Sequence, residues 1–137
     1  PTLEAPAKEL AEQLKGTIPV YTSSDRLSFA AKNFKIQTNE NTKIPSFWNE
    51  FPELNHNEMV SFSEWPKVNS PAKFHVVMLR DRDDHPRIQA RMDVTAELYK
   101  QWGIDVSFFD IQGKILLEKI LYAVMFGLWT TYFLAEA

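Results

Sequence analysis

Three short apolar runs alternate with stretches of helical periodicity: Thr17-Ile18-Pro19-Val20-Tyr21, Phe74-His75-Val76-Val77-Met78-Leu79 and Ile104-Asp105-Val106-Ser107-Phe108-Phe109. No other feature constrains the fold as much. A run of five or six mostly apolar residues bounded by turn residues reads as a strand buried on both faces. Such strands, separated by helices, belong to a parallel sheet, because a parallel connection needs a crossover long enough to hold a helix. The expected fold is α/β: a three-layer α/β/α sandwich with a parallel sheet and a long C-terminal helix.

The helical segments carry their own signals. Leu3, Leu10, Ala11 and Leu14 share helical spacing, and Gly16 stands where a C-cap is expected. Asp25 is placed to N-cap a helix from Arg26 to about Gln37. Pro86 to Gly103 sets Ile88, Met92, Ala96, Leu98 and Trp102 roughly on one side, and Gln112 to Glu136 forms a long apolar helix. Residues 39–72 are rich in Asn, Ser and Pro, so long loops and short helices are expected there.

Composition narrows the class. Apolar residues are 45% and charged residues 24%, the proportions of a globular domain. The absence of cysteine excludes disulfides and thiolate metal sites, and it suits a reducing cytoplasm. A net charge of −3 gives no reason to expect nucleic acid as a partner. Ile120 to Ala135 carries no charge, but the run is shorter than the ~20 residues of a spanning helix. No membrane partner is expected; the segment reads as a buried helix, or one packed in a subunit interface. The sequence begins with Pro1 rather than Met, so a missing upstream segment is expected.

Chemistry concentrates in one stretch. Gln37 to Lys43 and Phe51 to Glu58 hold the carboxylates of Glu40, Glu53 and Glu58, the imidazole of His56, and the carboxamides of Asn39, Asn41, Asn55 and Asn57. A carboxylate and an imidazole can serve as base and acid. Asn-rich segments also satisfy their own turns, so both readings stand at this point. His75, between apolar neighbours, reads as a core or interface side chain. Asp83-Asp84-His85 lacks a second histidine at ligand spacing, so no metal is expected. Ser23-Ser24 precedes a helix and offers either backbone N–H groups to an anion or a capping turn.

Asn39-Glu40-Asn41-Thr42-Lys43, followed by Pro52-Glu53-Leu54-Asn55-His56-Asn57-Glu58, resembles the paired signature of the bifunctional phosphoglucose/phosphomannose isomerases. Glu40 and His56 lie sixteen residues apart, as in that family. Ile18-Pro19-Val20-Tyr21, Leu79-Arg80-Asp81 with Asp83 to Arg87, and Phe133-Leu134-Ala135 resemble further parts of its second sugar isomerase (SIS) subdomain. The resemblance implies that residues 1–137 form a single SIS-type domain, the C-terminal half of a two-SIS-domain enzyme. It implies interconversion of glucose 6-phosphate, and of mannose 6-phosphate, with fructose 6-phosphate through a cis-enediol, without metal or cofactor. Glu40 matches the proton-transferring base and His56 the ring-opening residue. Asn41, Lys43 and Thr131 match substrate-binding positions. The partners implied are a hexose 6-phosphate, the missing N-terminal SIS subdomain with its Ser/Thr phosphate loop, and a second subunit. In that homodimer His56 crosses the interface.

Three departures stand out. Ser61 replaces an expected glycine, Gly127-Leu128-Trp129 replaces an expected acidic position, and the sequence ends before an expected lysine. A non-catalytic SIS module that binds sugar phosphates is the alternative. For catalysis Glu40 must be desolvated, which raises a carboxyl pKa toward neutrality. His56 suits ring opening because its ordinary pKa, about 6.5, admits both protonation states.

Overall fold

The computed structural model describes residues 2–137. Strands β1 (Ile18–Ser24), β2 (Phe47–Phe51), β3 (Phe74–Arg80) and β4 (Asp105–Asp110) form a parallel sheet in the order β2-β1-β3-β4. Val20 pairs with Phe47 on one side and Val76 on the other, and Val76 pairs with Val106. Helices α1 (Glu4–Leu14), α2 (Ser28–Thr42) and α5 (Leu116–Ala135) cover one face. Helices α3 (Glu58–Glu64) and α4 (Pro86–Gln101) cover the other. Alternation along the strands divides the core between these layers. Tyr21, Val77 and Leu79 join Phe34 and Phe126 on the α1/α2/α5 side. Val20, Val76 and Met78 join Met92 and Tyr99 on the other.

Pro19 is tolerated in the central strand β1 for a geometric reason. The Ile18 N–H donates to Lys73 O on the β3 side, so the missing donor of Pro19 faces β2. β2 begins to pair only one residue later, at Val20.

Five expectations need correction. Asp25 does not cap a helix: its carboxylate accepts from the next backbone N–H, at Arg26, and Asp25–Leu27 is a 3-10 turn. α2 runs five residues past Gln37, so Asn39, Glu40 and Asn41 stand on a helix, not in a loop. β2 lies inside the stretch expected to be irregular; it is an edge strand with a largely exposed Phe47, so its sequence lacks the apolar run of its neighbours. On α4 the buried residues are Met92, Thr95, Ala96 and Tyr99, while Leu98 is only half-buried. The C-terminal helix starts at Leu116, where the Glu118 carboxylate accepts from the Lys114 N–H and satisfies a donor at the helix entrance.

Among the described residues no helix is long and apolar enough to cross a membrane.

Candidate active site

α2 and α5 both run from the carboxyl edge of the sheet to its amino edge and end side by side. At the carboxyl edge, Lys119 in the first turn of α5 reaches Asp81, just past β3. At the amino edge, the Asn41 Nδ2 donates to Thr131 Oγ1 at 2.9 Å. Gly127 allows the two helices to meet between these points, because a Cβ there would collide with Gln37 Oε1 and crowd Phe34.

The end of α2 is pinned by its own polar side chains. Asn39 Oδ1 accepts from the Ser46 N–H at 3.0 Å and is 2.6 Å from its hydroxyl. Asn41 is tied to α5. Lys43 takes a left-handed conformation (φ 60°) that ends the helix, and its Nζ donates to Glu40 O at 2.6 Å. Glu40 therefore has a fixed backbone and an exposed carboxylate that accepts no hydrogen bond from the described residues. Thr131 is buried, accepting from Asn41 and donating to Leu128 O at 3.2 Å. The structure thus gathers four sequence-singled residues, Glu40, Asn41, Lys43 and Thr131, at one edge. The expected burial of Glu40 is not present in this chain. Two helix C-termini converge here, and their partial negative charge disfavours a phosphate.

His56 lies elsewhere. It closes the 3-10 turn Glu53–Asn55, which follows β2 at the carboxyl edge, and it is exposed. The five residues of β2 alone put roughly 16 Å between the edge that carries Glu40 and the edge that carries His56. Within one chain the two groups do not meet. The turn that presents His56 is rigid. Leu54 is buried beneath it, and Asn55 Nδ2 donates to Thr95 Oγ1 at 2.8 Å. Asn57 Oδ1 accepts from the Glu58 N–H, and its Nδ2 donates to Glu53 Oε1 at 3.1 Å. The carboxamides at 55 and 57 thus hold the turn. A groove of about 510 Å³ separates it from α4, walled by Asn55, Met59, Arg91 and Val94.

The crevice between β1 and β3, where the strand order reverses, is the usual ligand position of an open α/β sheet. Here it is filled by the protein's own charges. Buried Lys119 donates to both carboxylate oxygens of Asp81, at 2.7 and 2.9 Å, and also to Asp83. Ser24 donates to Asp84 at 2.7 Å, and Arg26 bridges Asp84 and Asp81 at 3.1 and 3.3 Å. Burial works against the Lys119 charge, but its bonds to Asp81 and Asp83 outweigh that and raise its pKa. Burial raises the Asp84 carboxyl against the opposing bond from Ser24. Carboxylates stand where an anion bound by Ser23-Ser24 would sit. Neither serine caps a helix: Ser23 donates to Ser24 O, and Ser24 is spent on Asp84. His85 caps α4 by accepting from the Arg87 N–H. No group of three or more metal-ligating side chains gathers among the described residues.

Sequence reasoning missed this ionic network. The available signal was Lys119 itself, a charge at the border of a long uncharged helix. It did place His75 correctly: the residue is buried, with Nε2 2.8 Å from Ser107 Oγ, and Ser107 donates to Gln13 at 2.6 Å. Burial lowers the His75 pKa, against an opposing pull from Asp105.

The family model for the C-terminal SIS domain of bacterial phospho-glucose isomerase matches residues 3–137. The chain belongs to that family. A bifunctional phosphoglucose/phosphomannose isomerase of Aquifex aeolicus is 33% identical over 98% of this chain and 41% of its own length. One of Caldicellulosiruptor bescii is 36% identical over 94% of this chain and 38% of its own length. The chain thus spans about two-fifths of the curated relatives it matches. A hypothetical protein of Thermus thermophilus superposes with a TM-score of 0.73 at 16% identity, over 96% of this chain and 38% of that one. Glucosamine-6-phosphate deaminase of Thermotoga maritima superposes with a TM-score of 0.64 at 11% identity, over 98% and 40%. Those two likenesses concern the fold. As a C-terminal SIS domain, the chain carries Glu40 on a helix end and His56 on a turn at opposite edges of one sheet.

Proposed function

We propose that residues 1–137 act as one SIS-type unit, the C-terminal half of an isomerase interconverting glucose 6-phosphate, and mannose 6-phosphate, with fructose 6-phosphate. The observation that carries this reading is the state of Glu40: a backbone pinned by Asn39, Asn41 and Lys43, with a carboxylate left unengaged. A base must be held still and kept free of internal partners. Glu40 would take the C2 proton of the open-chain aldose and return it to C1 of the cis-enediol. Asn41 and Lys43 would face the sugar hydroxyls, with Thr131 holding Asn41 in place. The ring would be opened by His56 of a second copy, since the two groups of one chain occupy opposite edges. Phosphate binding falls to the remaining part of the enzyme, because the helix C-termini beside Glu40 repel an anion. That part, with the second copy, would also exclude water and raise the Glu40 pKa. A chain without cysteine suits a cytoplasmic setting.

The test uses the full polypeptide that carries this domain. Glu40→Gln should lower kcat for fructose 6-phosphate by about 10³-fold with little change in KM. Mixing the inactive Glu40→Gln and His56→Ala variants should restore about a quarter of wild-type activity, because half the dimers are mixed and each has one intact site. Turnover unaffected by Glu40→Gln defeats the assignment of the base. Restoration failing between two folded, exchanging variants defeats the shared site. The isolated chain should show no turnover.

A further inference from the structure

The His56 imidazole is exposed, so the backbone that carries it decides where it stands. That backbone is a single 3-10 turn, closed by the Asn55 N–H to Pro52 O at 3.1 Å and the His56 N–H to Glu53 O at 2.9 Å. A turn held only by its own bonds can shift as a unit on the body of the protein. The anchor has to come from outside it. Asn57 does not provide one, because its Nδ2 bonds Glu53 and its Oδ1 the Glu58 N–H, all within residues 53–58. Asn49 on β2 gives one link, at 3.2 Å to Glu58 Oε2 and 3.5 Å to Asn57 Oδ1. The shorter link runs to α4.

Asn55 stands immediately before His56, and α4 holds its carboxamide at both ends. Thr95 Oγ1 accepts from Asn55 Nδ2 at 2.8 Å, and Arg91 Nη1 donates to Asn55 Oδ1 at 3.4 Å. Four residues apart, Arg91 and Thr95 share one face of the helix. A carboxamide that donates at one end and accepts at the other cannot turn over without losing both bonds. Met59 Sδ closes the group, 3.5 Å from Asn55 Nδ2 and 3.9 Å from the Thr95 hydroxyl.

Neither α4 residue is explained by the helix itself. Thr95 is 2% exposed and lies on the buried side with Met92, Ala96 and Tyr99, where an apolar residue would pack without a polar atom to satisfy. Its β-branched side chain is also a weak helix former. Arg91 forms no ion pair among the described residues, unlike Arg26, Arg80 and Arg82. Two departures from local preference that meet at one carboxamide point to the contact as their purpose. We infer that Arg91 and Thr95 are positioning residues: they clamp Asn55 and so fix the direction in which the next residue presents its imidazole to the sugar. This role rests on the ring-opening function proposed for His56.

The test uses the full polypeptide. Thr95→Val keeps the shape of the side chain and removes the acceptor, so the variant should fold with unchanged circular dichroism. Its kcat for fructose 6-phosphate should fall about 10- to 100-fold, with KM changed less than about twofold, because a displaced acid–base group loses its reactive geometry. Thr95→Ser keeps the hydroxyl and should stay within about twofold of wild type. Arg91→Met removes only the longer bond and should cost about threefold. Mixed subunits locate the defect: Thr95→Val should be rescued by Glu40→Gln, which supplies a well-held His56, and not by His56→Ala. A Thr95→Val kcat within about twofold of wild type, in an enzyme that His56→Ala cripples, overturns the proposal. So does a Thr95→Ser variant as slow as Thr95→Val, or rescue by His56→Ala. Turnover unaffected by His56→Ala itself defeats the ring-opening assignment instead. If Glu40→Gln and His56→Ala fail to complement each other, only the shared site falls; the kcat loss and its recovery by serine still decide the role of Thr95.

Discussion

The two edges of the sheet treat charge in opposite ways. At the carboxyl edge Lys119, Asp81 and Asp84 are drawn together out of water, with the more exposed Arg26 closing over the two carboxylates. At the amino edge Glu40 stands in solvent, and the neutral side chains around it are bonded only to fix the backbone. A charge engaged by counter-charges serves stability, while one held in place but unengaged remains available for chemistry. In this chain the customary ligand crevice of the fold is given over to the protein's own ion pairs, and Glu40 and His56 sit outside it.

Four measurements would break or sharpen that contrast. The largest effect belongs to the sealed edge. Lys119→Met leaves the buried Asp81 carboxylate without its main counter-charge and should cost about 3–5 kcal/mol in urea unfolding. A loss under about 1 kcal/mol would mean that the cluster is not a sealed ionic lock.

Second is acid sensitivity. The His75 pKa is depressed by burial, so the unfolded chain binds the proton that the folded chain refuses. This contribution is intact above the unfolded value of about 6.5 and declines below it, by up to about 1.4 kcal/mol per pH unit. The stability of His75→Gln, followed by thermal unfolding between neutral and mildly acidic pH, should lack that component. Parallel pH profiles for the variant and the parent would refute it.

Third, at the open edge, Thr131→Val removes the acceptor for Asn41 and should cost about 1 kcal/mol. In the full enzyme it should also lower kcat by loosening the helix end that carries Glu40. The smallest effect is expected at Glu40 itself: Glu40→Gln should change the stability of this chain by less than about 0.5 kcal/mol. A marked destabilisation would show that Glu40 has a structural role and would erase the difference between the edges.

The parts of the fold legible in the sequence are those whose environment is uniform. β1 and β3 announce themselves because they lie inside the sheet and their side chains enter one core or the other, giving mostly apolar runs; β4, at an edge, is legible through Val106, Phe108 and Phe109. β2 does not announce itself, because it leaves Phe47 exposed and carries Asn49 and Glu50 in its middle. The last turn of α2 was hidden for a different reason. Its Asn and Thr residues ordinarily compete with helix formation, but here three of them have partners outside the helix. Thr38 meets Tyr21, Asn39 meets Ser46 and Asn41 meets Thr131.

The sequence by itself determined the alternation of strands and helices and the family, because these depend on residue type at fixed spacing. It could not show that sixteen residues carry the chain across the full height of the sheet and part Glu40 from His56. Nor could it show that Lys119 is a core residue. Both outcomes were decided by packing: a side chain's distance and dielectric surroundings depend on elements remote in sequence, here β3, α2 and α5, which only the folded chain brings together.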